Sequence, residues 1–218
     1  MILALSLTAC STEEPVDPCA RDARPASIDD AMDTIGSLPS PVTLDCFLVS
    51  LERPLGLAMT SNIFSAQPAD GPESPRIFIR GDDLWMSVVP VGEGRRLLEF
   101  GELHPTGLTV KAELEFPIAL PLDPDLPFER VRTPDGPTAT GCGICHSGEI
   151  DVGGGRYAST PLRPGDNTLV PLDTLLDAHA TCDSSVDADR CAMLSALLDH
   201  GDVFHDPFPD DMLFLTGG

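Results

Sequence analysis

The sequence predicts an α+β chain: an antiparallel β-sandwich or barrel region followed by a loop-rich region of short helices. Three observations carry this. From Leu108 to Phe116, apolar Leu108, Val110, Ala112, Leu114 and Phe116 alternate with Thr109, Lys111, Glu113 and Glu115, the period of a strand with one buried and one wet face. Beyond residue 170 the apolar period lengthens to that of a helix, with Leu172, Leu175 and Leu176 in one run and Met193 and Leu197 in another. Twenty-two prolines and nineteen glycines in 218 residues cut the chain into short elements joined by loops.

In chain order, residues 1–26 read as a leader and linker, 27–132 as a helix followed by the β region, and 133–218 as a separate C-terminal region. Residues 11–24 have linker composition. Ser27-Ile28-Asp29-Asp30 is a helix-capping signal, and Ile28, Ala31, Met32, Ile35 and Leu38 recur at helical spacing until Pro39 ends the run. That stripe is core. Cys46 to Leu51 reads as a buried strand. Arg76 to Arg80 reads as another, turned by Gly81-Asp82-Asp83 into Leu84 to Val89 as a hairpin. Leu97 to Phe100 and Leu108 to Phe116 continue the pattern. Pro171 starts a helix, Asp187 to His200 forms a longer one stopped by Gly201, and 205–212 is a loop.

Charge narrows the function. The formal net charge is −22, and Lys111 stands alone beside twelve arginines, so no basic patch is available for nucleic acid. No stretch approaches eighteen apolar residues, so any membrane attachment must come from a lipid. No Ser-His-Asp order, phosphate loop or distinctive carboxylate pair announces an enzyme.

The chemistry concentrates at Cys142-Gly143-Ile144-Cys145-His146. Two thiols three positions apart can bond the same edge of a flat ring, and the adjacent histidine can meet its iron. Glycines at 141, 148 and 153–155 allow close approach of the backbone. At this pentapeptide the chain resembles the c-type cytochromes. The resemblance implies one covalent haem c bonded to Cys142 and Cys145, with His146 as axial ligand. A zinc site would need a second close pair, but Cys182 and Cys191 have eight residues between them. A thioredoxin-like dithiol would need the motif at a helix start within a β-α-β unit. Small class I cytochromes usually carry a helix close before the motif, where this chain is strand-rich.

Leu7-Thr8-Ala9-Cys10 resembles the lipobox of bacterial lipoproteins, which implies cleavage before Cys10, a lipid on its sulfur and export to the cell envelope. Ser11 in the next position implies the periplasmic face of the outer membrane. The apolar run 2–7 is short and lacks a basic start, so a longer leader is expected ahead of it. With Cys10 lipidated and Cys142 and Cys145 holding haem, four cysteines remain. An oxidising compartment favours the local pairing Cys19 to Cys46 and Cys182 to Cys191.

The sixth ligand stays open between Met212, on a proline-bounded loop and favoured, Met193, a histidine, or none. A family of small β-sheet cytochromes crosslinks a lysine to its haem, but the alternation around Lys111 points that side chain outward. Two functions follow. The first is an exported, lipid-anchored mono-haem cytochrome that transfers electrons to an unidentified redox partner. The second is a disulfide-stapled β-sandwich lipoprotein with a binding or structural role and no haem.

Overall fold

The computed structural model describes residues 17–214. Helix α1 (Ile28–Gly36) begins where the capping signal lies, with Ser27 Oγ accepting from the Asp30 N–H at 3.0 Å. Its buried side chains are Ile28, Ala31, Met32 and Ile35, the expected stripe. Next comes a difference. Cys46 to Leu51 is no strand: Leu44–Val49 forms helix α2, because the Thr43 hydroxyl accepts from the Cys46 N–H and caps a turn. A six-residue apolar run carries no period of its own, and the residue before it decides.

Strand β1 (Leu55–Thr60) is buried along its whole length, which removes the alternation that would have announced it. Strands β2 (Arg76–Arg80), β3 (Leu84–Val88), β4 (Leu97–Leu103) and β5 (Thr109–Glu115) follow as an antiparallel meander. A short helix α3 (Leu126–Arg130) precedes the motif. Strands β6 (Ile150–Gly153) and β7 (Arg156–Ser159) form a hairpin whose turn uses Gly153, Gly154 and Gly155, all at positive φ. The glycine run is therefore a turn that lays β7 on β5. Strand β8 (Leu162–Arg163), helices α4 (Leu172–Ala180) and α5 (Ala188–Leu198), and strands β9 (Val203–His205) and β10 (Leu213–Phe214) complete the chain.

Eight strands form one open sheet in the order β6-β7-β5-β4-β3-β2-β1-β9, and β10 pairs with β8 separately. The α+β class is as expected, and among the described residues the sheet does not close on itself. The pleat sorts its side chains. Ile77, Ile79, Leu84, Met86, Val88, Leu98, Val110 and Leu114 join the core made by α1, α2, α4 and α5. The other face carries Arg76, Ser87, Glu99 and Lys111.

Two disulfides, Cys19–Cys46 and Cys182–Cys191, match the expected pairing. They tie the N-terminal segment to α2 and the α4–α5 connection to α5. For sequence separations of 27 and 9, loop-closure entropy assigns them about 3.6 and about 2.6 kcal/mol. Replacing both cysteines of a pair by serine should therefore lower the urea-unfolding free energy more for Cys19–Cys46 than for Cys182–Cys191. The reverse order would mean that native-state contacts, and not chain closure, set the effect.

Candidate cofactor site

The motif is held by a loop that folds back on itself. Gly141 N donates to Val131 O at 2.8 Å and Thr133 N to Ala139 O at 2.9 Å, so 131–141 is a narrow hairpin. Thr140 then caps a single 3-10 turn over Gly141–Ile144, its hydroxyl accepting from Gly143 N. His146 N donates to Cys142 O at 2.9 Å, which brings the histidine under the first cysteine.

Glu149 fastens this turn from below. Its carboxylate accepts from the Ala139 N–H at 2.7 Å, from the Thr140 N–H at 3.3 Å and from the Thr140 hydroxyl. Gly143 allows it to sit there: a Cβ at that position would lie 2.8–2.9 Å from the Glu149 carboxylate. One of the two variable positions of C-x-x-C-H is thus constrained by an acid six residues away.

His146 is oriented by one bond. Its Nδ1 lies 2.9 Å from the Thr160 carbonyl oxygen, which can only accept, so Nδ1 carries the proton and Nε2 keeps its lone pair. Burial, reinforced by the charges of Lys111 and Arg76, lowers the imidazole to about 4, against the opposing bond from Thr160. The ring is neutral at neutral pH. Cys142 is half-buried, and burial together with the Glu99 charge pushes its thiol up to about 11. Cys145 is exposed, and among the described residues neither thiol is in a disulfide.

Cys142, Cys145 and His146 open on a cavity of about 890 Å³ between the charged face of the sheet and the 130–164 segment. That is within the range of about 300–1,000 Å³ usual for small-molecule and cofactor sites. The tail crosses it. Asp206 pairs with Arg80 at 2.7 Å, and Phe208 stacks on Trp85 and meets Phe78 edge-on, with centroids 5.5 and 5.0 Å apart. Met212 therefore lines the cavity, while Asp210 and Asp211 are exposed. Met193 is elsewhere, buried on α5 beside a small cleft with Asp45 and Asp189. Of the five histidines only His146 lines the cavity. Cys10 lies outside the described residues.

Lys111 is a correction to the sequence reading. It does point away from the helical core, but into the cavity beneath the motif loop, where it is half-buried. Lys111 lines the cavity opposite Gly101 in the β4–β5 register, and its amine donates to the Thr109 hydroxyl. Burial, with Arg76 adding to it against Cys142 and Glu99, lowers the amine to about 8. Beside it Arg76 pairs with Glu99 at 2.5 Å and donates to Ser87 Oγ, while the second oxygen of Glu99 is buried with no partner among the described residues. The alternation that betrayed β5 could not show which wet face is covered, so Arg76, Glu99 and Glu149 gave no signal in the sequence.

Among the described residues no three His, Cys, Asp or Glu side chains converge where a bare metal ion would sit. No protein-family model, no curated protein and no solved structure matches the chain.

The lock beneath the motif is directly testable. Gly143→Ala should destabilise the fold by about 1–3 kcal/mol in chemical denaturation. Glu149→Ala, which leaves two amide donors unpaired, should speed alkylation of Cys142 several-fold. In the double variant the cost of Gly143→Ala should shrink; strictly additive costs would show that the two residues do not press on each other.

Proposed function

We propose that this chain is an exported, lipid-anchored c-type cytochrome holding one covalent haem and transferring single electrons. The observation that carries the reading is the state of His146. Its Nδ1 is committed to the Thr160 carbonyl and its ring is neutral, while two cysteines outside any disulfide stand at the same cavity mouth. A metal-ligating histidine is ordinarily fixed in this way, with the far nitrogen bonded to a carbonyl or carboxylate.

The residues fit the group. Cys142 and Cys145 would hold it by thioether bonds, His146 Nε2 would be offered to the iron, and Met212, which lines the same cavity, would be the candidate for a second ligand. Bound haem would supply a one-electron couple at the iron. The chain's own part is to hold His146 in one tautomer, to keep the cavity walls apolar along Phe78, Trp85 and Phe208, and to exclude water with the 206–214 segment. A redox dithiol is less well supported, because such pairs rely on a lowered thiol pKa and burial raises that of Cys142. The two disulfides suit an oxidising compartment, in keeping with lipidation at Cys10 on the periplasmic face of the outer membrane.

Protein matured in a periplasm with a working haem-ligation system should gain the mass of one haem, with the peptide spanning 142–146 carrying it. Unmodified thiols at both positions would reject the reading. If Met212 ligates, Met212→Ala should abolish the near-infrared sulfur-to-iron band of the oxidised protein and leave the covalent attachment intact. If that substitution leaves the spectrum unchanged, Met212 is a wall residue only.

A further inference from the structure

The chain has 35 acidic and 13 basic residues, yet the cavity wall carries Arg76, Arg80, Lys111, Arg130, Arg132 and Arg163 against five acids. Nearly half of the cations therefore border one cavity, in a molecule whose surface is otherwise strongly anionic. Four of the six are neutralised on the spot: Arg76 by Glu99, Arg80 by Asp206, Arg130 by Glu113 and Glu115, and Arg163 by Asp166. Lys111 and Arg132 have no carboxylate partner among the described residues.

Their positions differ in kind. Arg132 is exposed at the mouth, its guanidinium 6.0 Å from the Tyr157 ring. Lys111 lies half-buried on the sheet side of the cavity, and among the described residues only the Thr109 hydroxyl accepts from it. It is also the only lysine in the sequence. A half-buried ammonium without a counter-charge pays part of the desolvation cost with nothing to offset it, and acids outnumber bases almost threefold, so partners for it were not scarce. Glu99, the carboxylate whose charge acts on Lys111, is already held by Arg76.

We propose that Lys111 is an anion-binding subsite at the floor of the cavity, with Arg132 drawing the anion in at its mouth. The ligand class is a carboxylate or a small oxyanion that completes the ammonium's hydrogen bonds and balances its charge. Two sources offer that chemistry: the carboxylates of a haem held at Cys142 and Cys145, or a free small anion that shares the cavity. The subsite does not depend on haem attachment, since every contact belongs to the chain itself.

The test uses the full chain produced without haem and the same chain after haem maturation. Trp85, the only tryptophan, lines the cavity and reports occupancy by fluorescence. Acetate, benzoate and sulfate serve as probes. The haem-free chain should bind at least one of them saturably, and Lys111→Met should weaken that binding at least ten-fold with the circular dichroism spectrum unchanged. Arg132→Gln should slow association more than it speeds release. In the matured chain, loss of probe binding assigns the subsite to the haem carboxylates, and retained binding assigns it to a free anion. Failure of every probe to bind the haem-free chain, or equal affinity in Lys111→Met, would overturn the proposal. So would a covalent bond between the Lys111 amine and the haem, because a nitrogen used in that way has no ammonium to offer. If no haem is ever attached, the haem-free arm still decides the matter.

Discussion

The pleat of the β2–β5 meander is the constraint on which the rest depends. Successive side chains must leave opposite faces of a strand, so the same seven residues of β5 supply Val110, Ala112 and Leu114 to the helical core and Thr109, Lys111 and Glu113 to the other side. The core side is a conventional apolar layer under four helices. The other side cannot be left as an ordinary solvated face once the 130–164 segment covers it. Its polar groups then need internal partners, which explains the chain of contacts from Ser65 and Ser87 through Arg76 to Glu99. The covered space between that layer and the motif loop is the cavity.

The roof is made of pieces distant in sequence. The motif loop comes from residues 131–146, the hairpin β6–β7 anchors it to the sheet at β5, and the tail from Asp206 to Phe214 closes another side. Each piece is fastened by a different kind of interaction: Glu149 under the loop, Phe208 wedged against Trp85 and Phe78, and the Arg80–Asp206 pair. Gly56 shows how tightly the tail is laid down, since a Cβ there would come within 2.8 Å of the Asp206 carboxylate. Phe208 is buried against the half-buried Trp85 and Phe78, whereas the Arg80–Asp206 pair keeps part of its hydration and gains less than a desolvated pair of the same geometry.

What the sequence made legible follows from which signals are local. The Ser27 cap, the alternation of β5, the β2–β3 hairpin and the helices after Pro171 and Asp187 are written in windows of a few residues, and the structure contains them. The disulfide pairing was also legible, because nearby cysteines close short loops. Two local signals misled: the apolar run after Thr43, where a single cap decided the conformation of a run with no period of its own, and the triple glycine, which turns a hairpin. The fully buried β1 had no alternation to show. At the site, the motif itself was plain, whereas Lys111, Glu99 and Glu149 became meaningful only once the sheet, the roof and the loop were set against one another.

Charge distribution links these levels. A net charge of −22 spread over the surface disfavours anions near the protein at low ionic strength, and a cavity that admits an anion must counter that field locally. Six cations around one opening do so, with four neutralised by neighbours and two left to act on what enters. Burial comes first in lowering the His146 imidazole, and the charges of Lys111 and Arg76 add to it, so the ammonium that would receive an anion also helps the imidazole keep its lone pair. Removing the Lys111 charge would weaken both effects, because the same ammonium acts on His146 and on an entering anion. The covered face of the sheet thereby couples the character of the cavity floor to the state of the histidine at its mouth.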